Sequence, residues 1–334
     1  MSEGRGQPRA DLVGAGLVAL AAACFGTLGP LSRFAGEAGV DSLTLVTWRA
    51  ALGAGVVGLY IVLRFALAGV RPRSLRSLPV RDRWFLGAAV VANMVLNLAA
   101  FIAFERITIA LTLLVFYLYP AGVALASMLW FGDRLDRTRW IALGTSLGGM
   151  VLVMAGAGSL GEIDPVGIGL AFLAGLAQMF YVLAARHGFA HVPGPQAAMT
   201  TMAGAAVLYL LLGVGVGSAG TLGSPLASSA SIVPVVLAGV IGAGVPTLAF
   251  ITGIRRLGPS KAAIIATLEP VVGVGLAAWL LAEQPAAIQI IGGGLILGAA
   301  VLLQLRPGPP AEHEAVAIDD RDQVSEETRD VLAG

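Results

Sequence analysis

The sequence predicts an all-α membrane protein: ten transmembrane helices arranged as two five-helix repeats of inverted topology. Three observations predict it. The chain is 57% hydrophobic and 12% charged, about half the charge of a soluble domain, and its mean hydropathy is +0.85. Apolar runs recur at lengths near the roughly 20 residues that span about 30 Å of hydrocarbon. The second half of the chain also repeats the first.

The runs lie near 12–32, 42–63, 84–104, 107–130, 139–157, 165–185, 196–216, 232–254, 262–281 and 286–305. They are continuously apolar and about twice the length of a barrel strand, which selects helices over a membrane barrel. Short polar or proline-bearing joints separate them, such as "RPRSLRSLPVRDR" (71–83) and "HVPGP" (191–195). The first run follows Arg5 and Arg9, and "LAAAC" (20–24) resembles a lipoprotein cleavage box. Ala21 stands where that box needs leucine, and the apolar run continues through Phe25 to Leu31. The expectation is an uncleaved first helix.

Basic residues alternate between joints. Arg64, Arg71, Arg73, Arg76, Arg81 and Arg83 follow the second run, and Arg134, Arg137 and Arg139 follow the fourth. Arg186 follows the sixth, and Arg255, Arg256 and Lys261 follow the eighth. These thirteen face two on the other side, Arg33 and Arg106. The positive-inside rule then places both termini in the cytoplasm of a cell that holds the protein in its plasma membrane. Residues 311–334 carry eight acids and no apolar run, the composition of a disordered tail. The net charge of +1 and the membrane composition give no sign of a nucleic-acid partner, and the single cysteine, Cys24, excludes an intrachain disulfide.

Residues 90–154 slide onto 240–304 without a gap, with thirteen of 65 positions identical. Pro120 falls on Pro270, Arg106 on Arg256 and Asp133 on Glu283. Gly144, Leu147 and Gly148 fall on Gly294, Leu297 and Gly298. The first two runs align with the sixth and seventh at a shift of 153, placing Arg33 on Arg186. Five runs per half is an odd number, so the second half enters from the opposite side. The organisation expected is a tail (1–11), a first repeat (12–157), a second repeat (158–305) and the acidic tail (306–334). Inverted repeats place a binding site near the midplane between the halves.

Polar groups at that depth are the candidate site. Glu269 lies about 12 Å inside its helix at 1.5 Å per residue, where a carboxylate costs about 2.5–3.5 kcal/mol. Pro270 directly behind it disfavours helix at Glu269 and frees the carbonyl of Ala266. Loosened backbone is tolerated where it faces protein or a watery cavity. Two roles fit Glu269: a coupling or substrate-amine carboxylate, and a protonated hydrogen-bonding link between helices. Pro120 is the matching break candidate in the first repeat. Arg49 is the second buried charge; it fits an anchor for a carboxylate or a side chain snorkelling to the headgroups. Asn93 and Asn97 share one face of the third run with Phe101 and Phe104, either hydrogen-bonding between helices or lining a cavity. Thr247 occupies the place of Asn97 in the second repeat. Tyr117, Tyr119, Gln178 and Tyr181 complete the candidates. Trp48 and Trp279 read as interfacial belt or core residues.

Other motif matches carry no chemistry. "GTSLG" (144–148) spells a serine-nucleophile turn, but it sits in an apolar run with no histidine partner, and its repeat reads "GLILG". Close packing through small residues is the expectation there, as for "GAGVVG" (53–58). His187 and His191 lack a third metal ligand nearby, so a solvated joint is expected and no metal or cofactor. No phosphate-binding G-x-x-x-x-G-K-[ST] loop is present, which argues against an ATP-driven pump.

Two long stretches carry a resemblance: "FERITIALTLLVFYLYPAGVALASMLWFGDRLDRTRWIALGTSLGGMVLV" (104–153) and "GIRRLGPSKAAIIATLEPVVGVGLAAWLLAEQPAAIQIIGGGLILGAAVLL" (253–303). Both are similar to the EamA-type repeat of the drug/metabolite transporter superfamily, as are "LEP" followed by "AEQP", and "WRA" at 48–50. The likeness covers roughly 12–305. It departs at Asp133, where the family more often has glutamate, and at Tyr119, opposite Glu269. The resemblance implies a ten-helix secondary carrier, often an exporter of amino acids or other small metabolites. The expected partners are the lipid bilayer, a small-molecule substrate and, as a candidate coupling ion, the proton. The competing class is an intramembrane enzyme or scaffold; an enzyme would need a convergent catalytic set, and none is legible.

Overall fold

The computed structural model describes residues 6–107, 109–132, 136–155, 164–189, 191–280 and 286–305. The acidic tail, Asp133 and Glu283 lie outside them. The described residues form fourteen α-helices with short 3-10 and π-helical turns, and no strand. Six helical stretches among them are long and apolar enough to cross a membrane: Leu12–Glu37, Ser42–Ala68, Val80–Phe104, Pro165–Gly188, Gly194–Gly215 and Ser229–Leu257. Tyr119–Phe131 and Ala287–Ala299 are shorter apolar helices.

The helices are α1 (Gly6–Gly26), α2 (Leu28–Glu37), α3 (Ser42–Ala68), α4 (Val80–Arg106), α5 (Ile109–Phe116), α6 (Tyr119–Phe131) and α7 (Arg137–Ala155) in the first half. The second half holds α8 (Pro165–Leu183), α9 (Gly194–Gly215), α10 (Ser229–Gly239), α11 (Val245–Leu257), α12 (Pro259–Ala266), α13 (Leu268–Leu280) and α14 (Ala287–Leu305). Local chemistry sets their ends. Asp41 caps α3 by accepting from Thr44 N–H at 2.9 Å, Asp164 caps α8 from Val166 N–H at 2.8 Å, and Ser228 caps α10 from Ser231 N–H at 3.2 Å. Gly69 (φ 66°) and Gly132 (φ 68°) stop α3 and α6 in the left-handed conformation that a side chain disfavours.

Three helical stretches are interrupted in the same way. The chain leaves the helix at Thr27, at Tyr117–Leu118 and at Thr267, each time shortly before a proline: Pro30, Pro120 and Pro270. A proline supplies no N–H to the carbonyl four residues back, so the ladder fails there. Thr27 N–H turns instead to Cys24 O at 3.1 Å, Leu118 N–H to Val115 O at 3.3 Å and Thr267 N–H to Ile264 O at 3.1 Å, the tighter bonds of a 3-10 turn. The breaks at Pro120 and Pro270 stand where the sequence places them. That at Pro30 is additional. A fourth irregularity, the π-helical turn Val240–Gly244, joins α10 to α11 just before Pro246.

The most extensive packings are α7 with α14, α4 with α8, α1 with α11, and α3 with α9. In the repeat alignment α1 and α3 correspond to α8 and α9, and α4 to α10 and α11 together. Exchanging the halves therefore turns the α1–α11 packing into the α8–α4 packing and leaves the other two in place. Glycines allow the closest approaches. A Cβ on Gly253 would meet Gly14 O at 3.0 Å, and one on Gly149 would meet Gly292 O at 2.6 Å. This corrects the reading of "GTSLG": Gly144 and Gly148 have open space beside them and face outward, and the neighbouring Gly149 makes the contact. Gly53 of "GAGVVG" does pack as expected, against Ala243 and Gly244. Trp84, Trp130 and Trp279 are 76%, 69% and 79% exposed, an apolar outer surface suited to lipid rather than water.

The basic joints meet at one end of the bundle. Arg73 N–H donates to Gln196 Oε1 at 3.1 Å and Gln196 Nε2 returns to Arg73 O at 2.5 Å. Arg255 donates to the carbonyls of Val192 and Phe189, and Arg186 donates to Arg255 O at 2.8 Å. The exposed His191 pairs through Nδ1 with the buried Asp82 at 2.9 Å, while His187 stacks on Phe131 at 3.8 Å between ring centroids. At the other end Trp48 Nε1 donates to Leu222 O at 2.7 Å and Arg106 pairs with Asp164 at 3.0 Å.

Candidate functional site

Arg49 on α3 is buried, and its guanidinium does not snorkel. Nε and Nη2 donate to the carbonyl of Gly242, at 3.2 and 2.8 Å. Gly242 lies in the π-helical turn, four residues before Pro246, so proline removes the donor that an α-helix would supply. The guanidinium replaces it with a forked pair of charge-assisted bonds. Nη1 donates to Asn97 Oδ1 on α4. Asn97 Nδ2 then reaches Asn93 Oδ1 at 3.0 Å and Asn93 O at 2.8 Å, and Asn93 Nδ2 lies 3.4 Å from Thr201 O on α9. Tyr181 of α8 closes this chain with its hydroxyl 3.4 Å from Thr201 Oγ1. Because the Thr201 hydroxyl already donates to the carbonyls of Ala197 and Ala198, Tyr181 is the donor. Tyr209 on α9 ties the same region to α4 by donating to Met94 O at 2.9 Å.

A second group assembles where two broken helices meet. Glu269 stands in the first turn of α13, half-buried. Tyr117 and Tyr119, from the break between α5 and α6, are 1% and 4% exposed and lie within the field of its carboxylate. The Tyr117 hydroxyl and the Glu269 carboxyl face each other closely enough to interact, but no hydrogen bond of normal geometry joins them. The hydroxyl is buried without a partner. Gln178 of α8 stands beside the Tyr119 hydroxyl. Phe116 completes an aromatic trio: ring centroids are 5.2 Å apart for Phe116–Tyr117, 5.3 Å for Phe116–Tyr119 and 5.9 Å for Tyr117–Tyr119. Gly175 lets α8 approach this break; a Cβ there would lie 2.9 Å from Phe116 O.

The two groups share one electrostatic neighbourhood. Arg49 and Glu269 act on each other's charge, yet no ion pair links them. Thr247, on the first turn of α11, is half-buried and hydrogen-bonded to neither group. Of the residues singled out in the sequence, Arg49, Asn97, Asn93 and Tyr181 thus form one chain of contacts, and Glu269, Tyr117, Tyr119 and Gln178 another. Phe116, Thr201 and Gly242 were not anticipated. Pro246 carried the readable signal for Gly242, while Phe116 and Thr201 look like ordinary apolar-helix residues in sequence. Among the described residues no group of three His, Cys, Asp or Glu could hold a metal ion.

A family model described as the EamA-like transporter family matches the chain twice, over residues 12–155 and 165–305. No curated protein sequence matches it significantly. One solved structure, titled only as the crystal structure of a protein, superposes with a TM-score of 0.72 over 90% of this chain and 98% of its own, at 20% identity. That likeness concerns the fold alone.

Proposed function

The chain belongs to the EamA-like transporter family, a family of membrane transporters, and from that premise we propose that it is a secondary active carrier that exports a small metabolite, an amino acid or a related compound, by alternating access. In this reading ten spans form two inverted five-helix halves in the plasma membrane, with both termini in the cytoplasm. The single observation that carries it is the meeting of two broken helices, one offering the Glu269 carboxylate and the other the buried rings of Tyr117 and Tyr119. Broken helices facing a midplane site are a carrier's way of exposing polar groups inside a membrane. The packing that survives exchange of the two halves supports a motion of one half against the other.

Glu269 is the proposed coupling site, exchanging a proton for the substrate's amine. One proton moving down the membrane potential supplies about 2.3 kcal/mol per 100 mV, enough for a nearly fiftyfold gradient. The test is transport by the reconstituted full chain in liposomes, with export substrates first identified by metabolite profiling of overexpressing cells. Glu269→Gln mimics the protonated carboxyl. It should fold and exchange substrate across the bilayer while losing net transport driven by a proton gradient. Wild-type gradient-driven transport by Glu269→Gln would remove Glu269 from the coupling role.

A further inference from the structure

Gln196, the third residue of α9, reaches the loop that follows α3 in the other half of the chain. Its side chain is buried, and its amide faces the backbone of Arg73. Arg73 N–H donates to Oε1 at 3.1 Å, and Nε2 donates to Arg73 O at 2.5 Å. Arg73 lies outside any helix, so no helical turn supplies these partners and the amide of Gln196 does so instead. Two further contacts widen the clasp. Arg73 Nη1 donates to His191 O at 3.1 Å. The buried Asp82, at the start of α4, accepts from His191 N–H at 3.3 Å and meets its Nδ1 at 2.9 Å. Each of these bonds ties the segment between α3 and α4 to the segment between α8 and α9, first half to second.

The equivalent contact at the opposite end is poorer. Thr44, the third residue of α3, reaches the loop that follows α9, with its hydroxyl 3.4 Å from that of Thr221. Thr44 already donates its proton to Asp41 Oδ2 at 2.8 Å, and Thr221 donates its own to Ser218 O at 2.9 Å. Neither hydroxyl has a proton left for the other. Trp48 Nε1, donating to Leu222 O at 2.7 Å, therefore holds this loop. The Arg106–Asp164 pair also joins the halves here, but its side chains are 47% and 29% exposed, and such pairs contribute little.

We infer that Gln196 is the latch of the basic end, and that the chain opens less readily there than at the end held by Trp48. α3 and α9 pack along each other, and each grips the other half from its own first turns, at opposite ends of the pair. Tilting one half against the other then frees one clasp and leaves the other in place. The inference rests on the carrier reading, in which the halves move. Gln196 is a positioning residue, acting through the loop it holds and not through the substrate.

The experiment is thiol modification of the full chain in detergent, in a Cys24→Ala background with one reporter cysteine. Ala89 is the tenth residue of α4 and Ala238 the tenth of α10; both are buried, and their helices pack across the two halves at opposite ends. The rate of modification by a maleimide, divided by that of the same chain unfolded in SDS, reads opening at each end. Gln196→Met removes two hydrogen bonds at nearly constant shape and should raise modification of Ala89→Cys about five- to hundredfold, with no rise at Ala238→Cys. Trp48→Phe removes one and should raise Ala238→Cys about two- to tenfold, with no rise at Ala89→Cys. His191→Ala trims a 60% exposed side chain from the same clasp as Gln196 and should raise Ala89→Cys about two- to tenfold without disturbing the core. A rise at both reporters in His191→Ala, an unchanged Ala89→Cys in Gln196→Met, or an effect of Trp48→Phe as large as that of Gln196→Met overturns the inference. The liposome flux experiment answers the other question: absence of flux, with the two reporters responding separately as stated, would overturn the carrier reading alone.

Discussion

The hydroxyls of Ser146 on α7 and Thr267 at the break before α13 lie 2.6 Å apart, across 121 residues of sequence. Thr267 donates its own proton to Ile264 O at 2.6 Å, so Ser146 is the donor in the pair. Both side chains are buried. The bond fastens the interruption beneath Glu269 to a continuous neighbouring helix. Ile296 stands at Ser146's place in the second repeat and cannot make an equivalent bond to Tyr117, so only one of the two breaks is held this way.

Removing either hydroxyl has unequal consequences. Ser146→Ala leaves Thr267 bonded to Ile264 and should cost about 0.5–1.5 kcal/mol. Thr267→Val leaves the buried Ser146 hydroxyl without its acceptor and the Ile264 carbonyl with the Thr267 N–H as its remaining donor, and should cost about 1–3 kcal/mol. Thermal unfolding of the two variants in the same detergent tests the order. Equal or reversed losses would mean that the hydrogen bond does not secure the break.

Arg49 and Pro246 are expected to be coupled. Arg49→Lys keeps the charge but not the planar fork that grips Gly242 O, and Arg49→Gln loses both. Pro246→Ala returns a backbone N–H to the carbonyl four residues back. Arg49→Gln should therefore cost less stability in the Pro246→Ala background, by about 0.5–3 kcal/mol in a double-mutant cycle. Strict additivity would show that Arg49 is not there to satisfy Gly242.

Two adjacent glycines on α7 should respond in opposite directions. A Cβ on Gly149 would stand 2.6 Å from Gly292 O, and one on Gly148 meets nothing within 4 Å. Gly149→Ala must push α7 and α14 apart and should cost about 1–3 kcal/mol. Gly148→Ala should be neutral or stabilise by up to about 1 kcal/mol through helix propensity. Melting temperatures in detergent would separate them, and a tolerated Gly149→Ala would contradict the close α7–α14 contact.

Asp164 gives a pH signature outside the membrane-spanning helices. The hydrogen bond from Arg106, and then that from Val166 N–H, hold its carboxyl below the ordinary aspartate range. An acid with a depressed folded-state pKa stabilises the fold fully above its unfolded value, about 4, and loses that contribution as pH falls through the folded value. Asp164→Asn keeps the cap and should flatten the stability profile only below about pH 4. Asp164→Ala also loses the cap and should be less stable at pH 7. Stability curves from pH 7 to pH 3 that are identical for wild type and Asp164→Asn would contradict the assignment.

The sequence by itself determined that the chain carries long apolar helices, because hydropathy is a local property and an apolar run in lipid must satisfy its own backbone. It also determined two of the helix breaks. A proline forbids its hydrogen bond wherever the chain goes, so Pro120 and Pro270 were legible before any fold was known. Pro30 and Pro246 carried the same signal, inside runs whose continuous hydropathy concealed it. That Glu269 and Arg49 stand as lone charges within apolar runs was legible for the same local reason. Their partners were not. Only the tertiary structure brought Gly242 to Arg49 across 193 residues, set Tyr117 and Tyr119 against Glu269, and turned Gly144 and Gly148 outward while Gly149 met α14. Those outcomes depend on the rotation of each helix about its axis. In helices apolar on every side, no amphipathic stripe marks the inner face, so only packing against the neighbouring helices decides which polar group meets which.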